Sequence, residues 1–212
     1  MEAVLVNWDK IQTKTTYEDI SIDFLSGSEA IVRTTEITAK IGGDGFYPDN
    51  RAKFRYTLHK EDGQWKIHNL EMLDLEILEP HKLFDHAIAV PDDVYAALRA
   101  VVEKQLKAAN EEDLDAYMAT MIYESEEQKE EVLEIIGSMF ELFDAVSTLE
   151  KFAVVEYNGS DEAVLLLSIV QEVTIEDESV KGRTIMSGGA RKVDGNWLLK
   201  AEMVSLSMEI LE

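Results

Sequence analysis

Asp62-Gly63-Gln64-Trp65 recurs as Asp194-Gly195-Asn196-Trp197, 132 positions further along the chain, and each copy sits between two runs rich in β-branched and aromatic residues. An Asp-Gly pair in that setting is a strong hairpin signal, because both turn residues tolerate positive φ. Two more matches keep the same order at an offset of 133. Ser28-Glu29-Ala30-Ile31-Val32 corresponds to Asp161-Glu162-Ala163-Val164-Leu165, and Glu76-Ile77-Leu78-Glu79 corresponds to Glu209-Ile210-Leu211-Glu212. Three matches in order at one offset predict a tandem repeat. A change of one in the offset is what a β-bulge or a loop indel produces.

Outward from the hairpins, the repeated part reads as strands. Residues 20–24 and 152–157 alternate and end at Ser26-Gly27-Ser28 and Asn158-Gly159-Ser160, both turn signals. Long β-branched runs follow at 31–41 and 164–175, then at 54–60 and 183–192, and after the Asp-Gly turns at 65–77 and 197–210. Each copy is therefore an antiparallel sheet of about four strands. Phe54, Tyr56 and Leu58 alternate with Lys53, Arg55, Thr57 and His59, as in a sheet with one wet face, whereas Val164-Leu165-Leu166-Leu167 is continuously apolar, as in a strand covered on both faces.

Only the second copy has helical patterns before its sheet. After Pro91-Asp92-Asp93, apolar residues fall at Val94, Ala97, Leu98, Val101, Val102, Leu106 and Ala109, the spacing of one helix face. A short helix is expected over 114–121. A third opens at Ser125-Glu126-Glu127-Gln128, a capping-box pattern, with Val132, Ile136, Met139, Phe140 and Phe143 on one stripe. The first copy has room only for the tail of a helix over 3–11. The expected class is α+β, with two antiparallel sheets packed back to back and the second covered by three N-terminal helices. Residues 1–79 form a sheet-only truncated copy, 80–91 a connector, and 92–212 a complete helices-plus-sheet copy. The connector lacks the length and the Gly/Ser content of a flexible tether.

The 212 residues carry 20 Lys+Arg against 43 Asp+Glu, a net charge of −23, with 46% hydrophobic residues and no cysteine. Thiol nucleophiles, disulfides and Cys-ligated metals are excluded. A chain this acidic repels phosphate backbones and anionic lipid surfaces, so neither nucleic acid nor membrane is an expected partner. No apolar run reaches the roughly 18–20 residues of a spanning helix. Met1-Glu2-Ala3-Val4-Leu5-Val6-Asn7-Trp8-Asp9 has no basic start before an apolar run, so no signal peptide is expected, and the reading is cytoplasmic unless an upstream signal has been removed.

Helices that precede a strongly bent antiparallel sheet, whose closing hairpin holds Asp194-Gly195-Asn196-Trp197, make residues 91–212 resemble the ketosteroid isomerase and nuclear transport factor-like superfamily. Residues 17–79 resemble the sheet of the same fold alone. The resemblance implies a cone whose helices close a pocket over a concave sheet, and a habit of dimerising through sheet backs, so a homo-oligomer or an internal pseudo-dimer is expected. It also implies isomerases, dehydratases, cyclases or binding modules, and fold alone does not choose among them.

The enzymes resembled place a carboxylate base near the end of the second helix. Here the nearest carboxylate is Glu124 and the nearest phenols are Tyr117 and Tyr123, while the Asp-rich segment of the isomerases is missing. All four histidines, His59, His68, His81 and His86, lie outside the helix-bearing copy, which removes the commonest general base from it. His81 and His86 flank Asp85, but their separation of five suits one face of neither a helix nor a strand, so no metal and no other cofactor is expected. Ser187-Gly188-Gly189 interrupts a strand and reads as a bend or a close approach. Met118, Met121, Met139, Met186 and Met203 fall on apolar faces, and a pocket lined by Tyr117, Met121, Met139, Phe143 and Met186 is the expected ligand site. The reading is a non-catalytic binding or accessory module that holds a small apolar ligand. An isomerase-, dehydratase- or cyclase-type enzyme using a cone carboxylate with a Tyr, and a purely structural interaction domain, stand as alternatives.

Overall fold

The computed structural model describes residues 10–175 and 178–211. The chain divides into two compact units, 1–80 and 81–212. The expected helix over 3–11 falls almost wholly outside the described residues.

The first unit is a four-stranded antiparallel sheet in sequential order, with β1 Gln12–Leu25, β2 Glu29–Gly42, β3 Asn50–Glu61 and β4 Gln64–Ile77. A 3-10 turn at Pro80–His86 begins at the last residue of the first unit, and the second continues with α1 Asp92–Asn110, α2 Leu114–Met118, the two-residue strand β5 Met121–Ile122 and α3 Glu126–Leu142. Strands β6 Asp144–Tyr157, β7 Glu162–Ile175, β8 Glu178–Val193 and β9 Asn196–Leu211 complete a five-stranded sheet of order β5-β9-β8-β7-β6. The α+β class with two sheets matches the sequence expectation. Strand β5 was not foreseen: the helix expected over 114–121 stops at Met118, and Met121 pairs in parallel with Leu199. No helix among the described residues is long and apolar enough to cross a membrane.

Local chemistry explains the boundaries. Asp113 caps α2 by accepting the Ala116 N–H at 2.9 Å, and Ser125 caps α3 by accepting the Gln128 N–H at 3.1 Å, while the Gln128 side chain accepts the Glu124 N–H at 2.7 Å. That exchange is close to the capping box read from the sequence. Both Asp-Gly turns have positive φ at both residues, 51° and 80° at Asp62-Gly63 and 50° and 84° at Asp194-Gly195, the geometry that matches strand twist.

The two sheets share finer detail. Lys60 lies opposite Trp65, as Lys192 lies opposite Trp197. Ser26 caps the β1–β2 turn through its hydroxyl, which accepts the Ser28 and Glu29 N–H groups. Asn158 does the same for β6–β7 through Oδ1, which accepts from Ser160, Asp161 and Glu162. Bulges fall between Tyr17 and Asp19 and between Leu149 and Lys151, and again between Ile22 and Phe24 and between Val154 and Glu156. The first pair of bulges has a chemical consequence. A bulge re-aims a side chain, and the bulged residues Glu18 and Glu150 reach across the intervening strand to Arg51 and Arg183. Each arginine also bonds a carboxylate on the last strand, Glu76 and Glu209 respectively.

In the second unit this triad shapes the acid limb of stability. Paired donation from Arg183, with a further bond from Ser168, holds the Glu150 carboxyl at about 2, well below its ordinary value. A depressed folded pKa contributes stability that is present above the unfolded value near 4.5 and is lost as pH falls toward 2. Glu150→Gln is therefore expected to flatten the dependence of stability on pH between those values. Denaturant midpoints measured in that window check it, and an unchanged slope would mean the pair is open to solvent.

The core of the second unit joins Leu98, Val101 and Val102 of α1 to Val154, Leu165, Leu167, Ala190, Trp197 and Leu199 of the sheet. Leu165, Leu166 and Leu167 are all buried, so β7 is covered on both faces as its continuous apolar run predicts. In the first unit the corresponding face carries Ile20, Ile22 and Leu25 on β1 and Ile67, Leu70 and Met72 on β4, all exposed, while Ala30, Thr34, Glu36 and Ala52 on its inner strands are buried. Its other face is a ladder of ion pairs, Arg33 with Asp23, Lys53 with Asp74 and Arg55 with Glu71. Trp65 and Trp197 differ in cover, 40% against 6% exposed. Trp197 packs in the cluster that joins α1 to the sheet, whereas among the described residues the Trp65 ring has the Lys60 ammonium over it at 5.7 Å.

Candidate functional site

The end of α1 is fastened to β6 by a reciprocal pair of bonds, Asn110 Nδ2 to the Ser147 carbonyl at 2.9 Å and the Ser147 N–H to Asn110 Oδ1 at 2.7 Å. The chain after α2 is fastened to β9, where the Leu199 N–H donates to the Thr120 carbonyl at 2.9 Å. The Thr120 hydroxyl donates to the Tyr117 carbonyl at 2.6 Å. These ties leave a cavity of about 650 Å³. Its helical wall is Leu106, Ala109, Tyr117, Val132, Ile135, Ile136, Met139 and Phe140, and its sheet wall is Ala145, Ile169, Val173, Met186, Ala201 and Met203, with Met121 and Phe143 between. Gln105, Glu112, Ser147, Gln171 and Thr184 supply its polar atoms.

Tyr117, Met121, Met139, Phe143 and Met186 all line this cavity. Tyr117 stands edge-on to Phe140, with centroids 6.0 Å apart, and burial raises its phenol pKa, so it stays protonated at neutral pH. Glu112, the lining carboxylate, is exposed. The structure does not bring the other two catalytic candidates here. Glu124 is exposed and, with Tyr123, borders a separate polar recess of about 90 Å³ beside Arg191, Lys200 and Glu202. The Tyr123 hydroxyl donates to the Met118 carbonyl at 3.1 Å, and burial raises its pKa too, with a smaller contribution from Tyr117. Glu124 stands outside because the capping of α3 by Ser125 ties the segment to the helix start, on the solvent side.

The glycines of Ser187-Gly188-Gly189 allow close approach of side chains. A Cβ at Gly188 would lie 2.9 Å from the Met203 methyl, and one at Gly189 2.7 Å from the Lys200 stem, opposite a bulge in β9. Met203 thereby reaches the cavity. Gln105, Ser147, Ile169, Gln171, Val173 and Thr184 were missed by sequence reasoning. Alternation from Leu165 through Leu167 and Ile169 would have found Gln171 and Val173, but the hydrophobic run of β7 masks which face is which.

Elsewhere, His59 and His68 stack across the β3–β4 hairpin with centroids 4.2 Å apart, and His81 lies 3.7 Å from Glu209. No group of three or more His, Cys, Asp or Glu side chains suited to a metal occurs among the described residues.

The sequence matches the family described as "Anti-sigma-I factor RsgI9, C-terminal domain" over residues 2–78 and 100–211. The chain belongs to the RsgI9 C-terminal domain family. The RsgI9 match takes in the sheet of the first unit and most of the second. No curated protein sequence matches the chain.

Solved structures similar to it include a protein of unknown function with a cystatin-like fold from Nostoc punctiforme. That match is 16% identical, covers 55% of this chain and 96% of that one, and has a TM-score of 0.44. A hexachlorocyclohexane dehydrochlorinase, LinA-type3 from Novosphingobium barchaimii, is 11% identical, with 56% and 90% covered and a TM-score of 0.45. An Ntf2-like protein involved in plasmid conjugation is 9% identical over 91% of this chain and 78% of that one, with a TM-score of 0.36. At such identities no activity carries over.

Proposed function

We propose that this chain is a non-catalytic binding module whose second unit holds a small apolar ligand beneath α1, α2 and α3, and that its two sheets are copies of one ancestral unit. One observation carries the reading: a cavity of about 650 Å³ walled mainly by Met, Ile, Val and aromatic side chains, a size and lining typical of small-molecule sites. An enzyme of the isomerase or dehydratase kind needs a base within hydrogen-bond reach of its substrate. Among the lining groups Tyr117 is held protonated and Glu112 is exposed, while Glu124 lies outside. Kinship with an anti-sigma-I factor's C-terminal domain fits a ligand that acts as a signal rather than a substrate.

The test is titration of the full chain with N-phenyl-1-naphthylamine, an uncharged probe that fluoresces in apolar surroundings. Saturable binding of one probe per chain is expected. Ile136→Glu, which sets a carboxylate in the helical wall, should weaken it at least about tenfold, because a charge moved into an apolar site without a partner is costly. Binding that never saturates, or that ignores Ile136→Glu, would sink the proposal.

The exposed apolar side chains on the outer strands of the first sheet favour a second and compatible reading, that of an interaction surface, with another copy of the chain as the first partner to test. Sedimentation equilibrium that finds only monomer at tens of micromolar would remove that copy as the partner.

A further inference from the structure

Apart from the exposed Glu112 carboxylate, the polar groups of the cavity are few, uncharged and gathered on facing walls. Ser147 of β6 and Gln171 of β7 stand directly opposite one another in register. Gln171 pairs with Gly182 on its other side, so Thr184 of β8 lies two residues further along the same face. Opposite side chains in an antiparallel pair approach to about 5 Å, and diagonal ones to about 7–8 Å, so the three form one patch. Among the described residues none of these three side chains makes a hydrogen bond. From the helical wall comes Gln105, only 8% exposed, whose amide nitrogen donates to the Thr120 hydroxyl at 3.1 Å. Its carbonyl oxygen has no partner among the described residues. No fully buried side-chain polar atom there goes unpartnered, so that oxygen faces open space, and the space that Gln105 borders is the cavity.

Charge sharpens the reading. No Lys, Arg or His contributes to the lining, and its carboxylate, Glu112, is exposed. A ligand with an anionic head would leave water for a site with no cation to receive it, and one with a cationic head would meet amides, hydroxyls and a protonated phenol, the lining carboxylate Glu112 being exposed to solvent. Either transfer is costly without a counter-charge. An uncharged head that both donates and accepts is matched: the Gln171 amide offers two donors and an acceptor, Ser147 and Thr184 offer hydroxyls, and Gln105 offers an acceptor.

We infer that the cavity takes a neutral amphiphile, an apolar body packed on the Met and Phe side chains with a hydroxyl, carbonyl or amide head received by Gln171, Thr184, Ser147 and Gln105. The inference rests on the binding-module reading above and adds the chemical class of the ligand. Three probes of one chain length separate the possibilities: decanol, decanoate and decylammonium, each displacing N-phenyl-1-naphthylamine from the full chain near neutral pH. Decanol is expected to displace at a concentration at least about tenfold below either ion.

In Gln171→Leu that advantage should shrink by about 5- to 20-fold, the usual penalty for removing a hydrogen-bonding partner from a buried site. The affinity for the naphthylamine should stay within about twofold. Thr184→Val, which keeps the side-chain shape, should act in the same direction and serves if Gln171→Leu folds poorly. Decanoate or decylammonium displacing as well as decanol would overturn the inference, as would decanol binding that neither variant weakens; in both cases the apolar site itself still stands. Failure of the naphthylamine to bind the unaltered chain would overturn both readings together.

Discussion

Trp197→Ala is expected to destabilise the second unit by about 3–5 kcal/mol, the usual cost of deleting a buried indole and leaving its cavity. Trp65→Ala is expected to cost less than about 1 kcal/mol. The two residues occupy the same place in sequence and in register, each directly after an Asp-Gly turn and opposite a lysine. Their difference lies in cover. Trp197 is packed in the cluster of Leu98, Val102, Leu165 and Leu199 and lies beside Tyr157, while the Trp65 ring lies in an open face. Denaturant unfolding followed by far-ultraviolet circular dichroism reads both variants. If Trp65→Ala cost as much as Trp197→Ala, the open face of the first sheet would have to be covered in solution, and the second copy suggested above would be the first place to look. Ile67 and Leu199 form the same kind of pair, 62% and 1% exposed, and should rank in the same order.

Leu98→Ala should cost about 2–5 kcal/mol, and with that loss the affinity for an apolar probe should fall too. Leu98 is fully buried at the centre of the contact between α1 and the sheet. Helix α1 also carries Leu106 and Ala109, which wall the cavity, and Asn110, which ties its end to β6. A truncation that loosens α1 therefore opens the cavity at the same time. Leu133→Ala on α3 is the control. Leu133 is exposed and absent from the lining, so less than about 1 kcal/mol and unchanged probe binding are expected. Equal losses for Leu98→Ala and Leu133→Ala would show that α1 is not the element that holds this unit together.

The strands, the two long helices and the apolar stripes were legible in the sequence, because they depend on short-range chemistry. Asp-Gly pairs set hairpins through their tolerance of positive φ, alternation sets which side chains share a face, and Ser125 and Asp113 cap helices through bonds only three residues long. Met121, Met139, Phe143, Met186 and Tyr117 could be picked out in the same way, since apolar residues on one stripe must face something apolar.

What only the tertiary structure decided is exposure and aim. The two sheets have nearly the same local signals, yet Trp197 is covered and Trp65 is exposed, because the cover of Trp197 comes from α1, an element about a hundred residues before the strand that it protects. Bulges at Glu18 and Glu150 turn those carboxylates across a whole strand to meet Arg51 and Arg183, which the alternation of an unbroken strand does not reveal. The patch of Ser147, Gln171 and Thr184 exists because the register of three strands brings them together. Register and cover are long-range properties, and they turned a chain whose local pattern named the fold into one whose cavity has a particular chemistry.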